Sequence, residues 1–317
     1  MPDTKTRLSQ KYIGEGALLL MTIFWGVTFP VIKEALDDVS SMIFIASRFS
    51  LASLILFFFV RKRLHLINSK LISTGIFLGV LLFLGFGFQT VGLNYTSATK
   101  SGFITGSLVV MIPFLQFLIR KKIPTKGALL GTILVFIGIL FLSTGGSDIF
   151  TFLEDLGSDF NFGDFLTLAC AFFFALHVVY IDLISNEQDV LSLVFFQLFT
   201  TAILALIFSS IFSIGAIEQI KFSVTSDLIF AIIYTAVFAT LINLALQTKY
   251  QRVVSPTKAG ILYSFEPIFA GIFAFFLLNE KISNFGFIGS ALIFAGLLVA
   301  EAFDSITKQN ENSTIAS

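Results

Sequence analysis

Long apolar runs fill the chain from residue 16 to residue 302, and short polar clusters punctuate them. Ten runs are candidates to cross a bilayer as helices, a task that needs roughly 20 residues each. They cover residues 16–33, 42–60, 71–93, 101–119, 127–143, 165–182, 190–212, 228–248, 259–278 and 285–302. Barrel strands would alternate apolar and polar positions over about 10 residues. Stretches such as Leu51–Val60 and Ile133–Leu142 are apolar all round instead. The pattern predicts an all-α integral membrane protein with ten transmembrane helices. Only Arg48 and Glu266 carry charge well inside a run; Lys33, Asp182 and Glu301 stand at run ends, where side chains can reach the interface.

Composition agrees. Hydrophobic residues make up 56% of the 317 positions and charged residues 13%, against roughly 25% in soluble domains. That excludes a water-soluble domain and a disordered chain. Cys170 is the only cysteine, which excludes an internal disulfide framework. Lys and Arg balance Asp and Glu at 20 each, which gives no electrostatic footprint for nucleic acid.

The basic residues set an orientation. The two tails and the 2–3, 4–5 and 8–9 connections hold fifteen Lys and Arg, and the opposite side holds three, Lys100, Lys221 and Lys281. Both termini are therefore expected in the cytoplasm, in a bacterial-type cytoplasmic (inner) membrane. The 6–7 connection departs from this rule, with no Lys or Arg on the cytoplasmic side. Residues 144–162 have neither as well, but carry Asp148, Glu154, Asp155 and Asp159, and read as an exported-side acidic linker. The first run lacks a small-residue cleavage site around Phe24–Pro30 and is read as a retained span.

The chain also repeats itself. An offset of 149 places Gly14-Glu15 on Gly163-Asp164, Thr22–Lys33 on Ala171–Asp182 and Arg48 on Gln197. An offset of 158 places Thr99-Lys100-Ser101-Gly102 on Thr257-Lys258-Ala259-Gly260, and Gly131 and Gly138 on Gly289 and Gly296. The expected organisation is a tail (1–13), a five-helix repeat (14–143), the linker (144–162), a second five-helix repeat (163–303) and a tail (304–317). Five spans per repeat start the second repeat on the opposite side of the membrane. Such inverted repeats are a plan of secondary transporters, whose substrate site lies near the midplane between the repeats.

The residues resemble a known family. Phe24-Trp25-Gly26-Val27-Thr28-Phe29-Pro30-Val31-Ile32-Lys33 is similar to its first-helix signature, and Ala46-Ser47-Arg48-Phe49 to the second. Gly92–Ala98 through Thr105-Gly106 is similar to its helix 3–4 junction. Ser255-Pro256-Thr257 through Phe265-Glu266-Pro267 to Asn279-Glu280-Lys281 is similar to its ninth-helix block. Together they resemble the EamA-type family of the drug/metabolite transporter superfamily, over about residues 14 to 303. The resemblance implies ten helices, inverted repeats and export or exchange of small metabolites.

Polar groups inside the spans are the candidate site. Glu266 lies roughly 12 Å from the cytoplasmic end of its span, at 1.5 Å per residue. A carboxylate there must be paired, hydrated or protonated. It is read as a proton-coupling candidate, or as a structural acid beside Pro267. Arg48, roughly 10 Å below the outer surface by the same rise, either binds a substrate carboxylate or plays a structural or gating part. Thr240, Asn243 and Gln247 follow helical spacing and are read as a cavity wall or as interhelical glue. Gln89, His177, Tyr180 and Trp25 complete the expected cavity set, each with packing as the alternative. Gly75/Gly79, Gly102/Gly106 and Gly127/Gly131 predict close helix crossings.

Only His65 and His177 are histidines, so no metal site is expected, and no cofactor motif or phosphate loop occurs. The expected partners are a small-molecule substrate, the lipid bilayer and protons as a candidate coupling ion, with monomer and homodimer both open. The leading function is secondary-active export of amino acids or related small polar metabolites by alternating access. Efflux of drugs or lipophilic cations is the alternative within transport. A membrane enzyme or interaction protein is the alternative outside it, disfavoured by the lack of catalytic motifs.

Overall fold

The computed structural model describes residues 4–143, 160–185, 188–278 and 284–315. Most of the 144–162 linker and the Asn279-Glu280-Lys281 motif lie outside the described residues. Those described are helical apart from caps, turns and one isolated β-bridge between Val39 and Phe222.

In chain order the helices are α1 (Thr4–Ala35), α2 (Ser41–Val60), α3 (Ser69–Leu93), α4 (Ala98–Gly106), α5 (Leu108–Arg120) and α6 (Lys126–Ser143). There follow α7 (Phe162–Ile184), α8 (Val190–Ile214), α9 (Ser226–Tyr234), a π-helical stretch (Thr235–Ile242) and α10 (Asn243–Tyr250). The last are α11 (Pro256–Tyr263), α12 (Glu266–Leu278) and α13 (Asn284–Ile315). Among the described residues, seven spans are long and apolar enough to cross a membrane: Gln10–Ala35, Ser41–Leu66, Ser69–Leu93, Lys100–Arg120, Phe162–Ile184, Val190–Ile214 and Ser226–Tyr250. Lys126–Phe141 and Phe287–Ala300 are shorter apolar helices.

Polar side chains start the helices. Asn68, Ser97, Asp189, Thr225 and Ser255 each accept a backbone N–H three residues on. Asn161 and Asp164 form a reciprocal capping box at α7. Such caps satisfy amides that have no intrahelical partner. The connection before α8 is also tied to the turn after α2, by an ion pair of 2.7 Å between Arg63 and Asp189.

Two long apolar runs are broken. The run 101–119 divides at Ser107 into α4 and α5, and the run 259–278 divides at Ser264-Phe265 into α11 and α12. Pro267 explains the second break: it has no N–H for the Tyr263 carbonyl, and its ring would collide with that group in a continuous helix. The two breaks stand at equivalent positions under the 158-residue offset.

Helices of the first half pack against helices of the second. α1 lies along α12 and α10, α3 along α7 and α8, α2 along α8 and the π-helical stretch, α4 and α5 along α7, and α6 against α13. Outward positions are apolar. Phe57, Phe59, Phe114, Phe230 and Phe276 are all largely exposed, whereas Thr22, Gln197, Thr201, Thr235, Thr240 and Asn243 are buried. A lipid-facing exterior with polar side chains pairing inside accounts for this distribution.

Glycines permit the closest crossings. A Cβ on Gly79 would meet the Gln197 carbonyl oxygen at 2.8 Å, and one on Gly75 would meet Phe196 Cβ at 2.4 Å. A Cβ on Gly131 would stand 2.6 Å from the Gly296 carbonyl oxygen, and one on Gly138 2.7 Å from that of Gly289. The expected crossings at Gly75/Gly79 and Gly127/Gly131 are present. Gly102 differs: a Cβ there would find its nearest neighbour at 3.8 Å, so Gly102/Gly106 is not a close crossing as a pair.

Gly131→Leu should lower thermal stability in detergent by about 1–3 kcal/mol, the usual cost of overpacking. Gly16→Ala, where a Cβ meets nothing within 4 Å, should be neutral or slightly stabilising. Thermal unfolding of both variants checks the contrast.

Candidate functional site

A narrow internal cavity lies where the broken helices meet α1, α3, α7 and α10. About 40 Å³ of it is open to the centre of a water-sized sphere, room for a few waters. Its polar wall is Thr28, Gln89, Thr105, His177, Gln247, Tyr263 and Glu266, and its apolar wall includes Trp25, Phe86 and Phe174.

Glu266 begins α12, immediately after the break, and faces this space. It has no hydrogen-bond or ion-pair partner among the described residues. Around it the polar groups are held. Gln89 Nε2 donates to Thr105 Oγ1 at 3.3 Å, and Tyr263 OH donates to Gln251 Oε1 at 3.2 Å. His177 Nε2 and Gln197 Oε1 are 2.9 Å apart. Trp25 packs edge-on against Tyr263 with ring centroids 5.5 Å apart, and its indole N–H donates to the Ala239 carbonyl at 3.0 Å.

That carbonyl is available because of the π-helical stretch. Asn243 N–H bonds the carbonyl of Phe238, five residues back, passing over Ala239. A π turn of this kind frees a backbone acceptor inside the membrane without leaving it orphaned. Arg48 uses the same acceptor, with Nη2 at 3.5 Å. Its Nε donates to Thr240 Oγ1 at 2.5 Å, and its guanidinium lies over the Phe86 ring, 4.6 Å from the centroid. Arg48 is 2% exposed. It stands behind Phe86, outside the cavity lining, with no ion-pair partner among the described residues. Its positive charge rests on a hydroxyl, a carbonyl and aromatic faces.

The structure therefore divides the expected site residues. Trp25, Gln89, His177, Gln247 and Glu266 share the cavity wall. Arg48, Tyr180, Thr240 and Asn243 are not among its lining residues. Thr240 is bonded to Arg48, and Asn243 Nδ2 donates to the Met21 carbonyl at 3.0 Å. Tyr180 packs edge-on against Phe77 at 4.9 Å. The two amides of α10 part company: Gln247 reaches the cavity, whereas Asn243 turns to the backbone of α1.

Sequence comparison agrees with what this bundle suggests. The pattern of the EamA-like transporter family matches residues 12–144 and again residues 161–301. The chain belongs to the EamA-like transporter family. An uncharacterized transporter of Archaeoglobus fulgidus is 34% identical over 282 residues, 89% of this chain and 83% of that protein. A "Probable amino-acid metabolite efflux pump" of Escherichia coli is 25% identical over 289 residues, 89% of this chain and 92% of that protein. One solved crystal structure aligns with a TM-score of 0.70 at 16% identity, over 92% of this chain and 97% of that one. That last likeness concerns the fold alone. Family and apolar helices together make this EamA transporter a multi-pass membrane protein.

Sequence reasoning missed Thr28, Phe86, Thr105, Phe174 and Tyr263 in the wall. A signal was present. Under the offsets of 149 and 158, Trp25 corresponds to Phe174, Thr28 to His177, Phe86 to Leu244, Gln89 to Gln247, Thr105 to Tyr263 and Leu108 to Glu266. Every member of these six pairs lines the cavity of this EamA protein.

The two amides of α10 should behave differently. Gln247→Leu is expected to weaken substrate affinity by about 1–3 kcal/mol, the cost of an unpaired polar partner, with the melting temperature unchanged. Asn243→Leu should lower the melting temperature, because it strips the Met21 carbonyl of its donor. Binding and thermal unfolding on the same preparations separate the two.

Proposed function

We propose that this protein is a secondary-active exporter of amino acids or related small polar metabolites. It works by alternating access of two inverted five-helix repeats around the central cavity. The observation that carries the reading is the set of six offset-related pairs in one cavity wall, with a single carboxylate among them. A site built from equivalent positions of two halves can open to either side by one rearrangement and its mirror image.

Helix packing supports the repeats. α4 and α5 on α7 answer α11 and α12 on α1; α3 on α7 answers α10 on α1; α3 on α8 answers the π-helical stretch on α2. α6 and α13 cross as repeat mates, with Gly131 against Gly296 and Gly138 against Gly289, while the offset relates Gly131 to Gly289 and Gly138 to Gly296. Such reciprocal contacts are those of a two-fold relation. The basic-residue count supports cytoplasmic termini.

The polar lining and the name of the Escherichia coli relative support a metabolite substrate. The wall has hydroxyls, amides, an imidazole and one carboxylate to recognise amines and hydroxyls. It has no Arg or Lys for a substrate carboxylate, and the membrane-embedded Arg48 is engaged elsewhere. The aromatic rings of Trp25, Phe86, Phe174 and Tyr263 near Glu266 favour a second reading, efflux of lipophilic cations. Counterflow in proteoliposomes distinguishes them. Radiolabelled neutral amino acids should exchange on the first reading and tetraphenylphosphonium on the second. Exchange of neither would reject both.

Transport is read as proton-coupled through Glu266. No nucleotide-binding loop is encoded, so uphill export draws on a gradient. Glu266 faces the cavity without an ion-pair partner among the described residues, free to exchange a proton with substrate or water. Glu266→Gln should abolish pH-gradient-driven transport, by more than about tenfold, and leave counterflow intact. Unchanged gradient-driven uptake by Glu266→Gln proteoliposomes would end this assignment.

A further inference from the structure

Two ion pairs outside the cavity stand at opposite ends of the bundle. At one end Lys258 Nζ is 2.7 Å from Glu15 Oε1, with Lys11 also 3.5 Å from that oxygen. At the other, Lys100 Nζ is 2.6 Å from Asp164 Oδ2. The separation of the two ends follows from α1. Glu15 stands near its beginning, and Lys33, near its end, donates to the carbonyls of Leu93 and Thr96. Thr96 Oγ1 in turn donates to Asp164 Oδ1 at 2.7 Å. Eighteen residues separate Glu15 from Lys33, roughly 27 Å of helix.

The two pairs are the same device used twice. The 149 offset takes Glu15 to Asp164, and the 158 offset takes Lys100 to Lys258. Each Lys sits in the first turn of a helix whose N-cap serine, Ser97 or Ser255, accepts that Lys backbone N–H. Each acid follows a glycine that admits the preceding junction. A Cβ on Gly163 would stand 2.6 Å from the Gly92 carbonyl oxygen, and one on Gly14 3.0 Å from Val253. Each pair also joins the two halves, because Glu15 and Lys100 belong to the first and Lys258 and Asp164 to the second. Asp164 is fully buried and Lys258 is 3% exposed, so neither pair is an ordinary solvated surface bridge.

We propose that Glu15–Lys258 and Lys100–Asp164 are the two opposing latches of the transport cycle, each holding its own end of the cavity shut. The proposal rests on the alternating-access reading above and adds to it the residues that set the balance between the two open states. Opening towards the Asp164 end requires α4 to leave the start of α7, which separates Lys100 from Asp164. Opening towards the Glu15 end requires α11 to leave the start of α1, which separates Lys258 from Glu15. Both pairs are formed here, and the cavity between them is small, as expected of a state shut at both ends. Removing one latch shifts the population towards the state open at that end.

The test places one reporter thiol in the cavity, Leu108→Cys in a Cys170→Ala background. A membrane-impermeant maleimide is applied from either face of oriented vesicles. Asp164→Asn keeps the shape of the side chain and removes its charge. It should raise labelling several-fold from the Asp164 face and lower it from the other. Glu15→Gln should do the reverse, and the charge-exchanged pair Glu15→Lys with Lys258→Glu should return labelling towards the parent values. If the reporter labels from both faces in the parent and neither variant changes the ratio, the latches are wrong and alternating access stands. A rise from both faces alike in both variants also overturns the latches, since it reports a loosened bundle. A reporter that labels from neither face in parent or variants overturns the latches together with the alternating-access reading.

Discussion

Hydrocarbon offers no partner for a backbone amide, so every carbonyl or N–H released from a helix inside the membrane must be taken up by protein. Much of this bundle follows from that constraint. The helix breaks at Ser107 and Ser264-Phe265 fall where the chain borders the cavity. The π-helical stretch from Thr235 to Ile242 leaves the Ala239 carbonyl outside the regular ladder, and Trp25 and Arg48 both donate to it. One irregular turn thereby fixes an indole of the cavity wall and a buried guanidinium. Arg48 then backs Phe86, whose other neighbours include the cavity. The Arg48 guanidinium thus packs against a ring of the cavity wall without lining the cavity itself.

The same constraint explains why much of the fold was legible in the sequence and the site only in part. Apolar runs must be helical when lipid surrounds them, so α2, α3 and α8 follow the runs at 42–60, 71–93 and 190–212 closely. The 259–278 run gave no sign of its division except Pro267, and the 228–248 run gave none of its π register. Spacing alone also does not separate Asn243, bonded to the Met21 carbonyl, from Gln247 in the cavity wall one turn later. For Arg48 the sequence left open a substrate carboxylate or a structural or gating part; the aromatic faces, hydroxyl and freed carbonyl around it cannot be paired to it from spacing alone. The offsets carried more than single residues did. Gln89 and Gln247 stand 158 positions apart, and the 149 offset applied to Trp25 and His177 reaches Phe174 and Thr28.

Where the two halves differ is as informative as where they agree. Leu108 in one half corresponds to Glu266 in the other, Thr28 to His177, and Arg48 to Gln197, which holds the His177 ring. The shared features are mechanical: breaks, caps, end pairs and glycine crossings. The divergent ones are chemical, and they place the carboxylate and the imidazole on the second half alone.

The most direct test of this account is a distance measurement between spin labels at both ends of the bundle. Tyr95 and Phe162 are exposed neighbours at one end, with ring centroids 5.5 Å apart, and Tyr12 and Val253 are exposed near the other. Labels at each pair, read by dipolar broadening of continuous-wave spectra in lipid nanodiscs, should show two distance populations per end, a close one that broadens the lines and a distant one that does not. Changing the pH should lengthen one end's mean distance while it shortens the other's. A single population at both ends, or distances that grow and shrink together, would contradict alternating access in this fold.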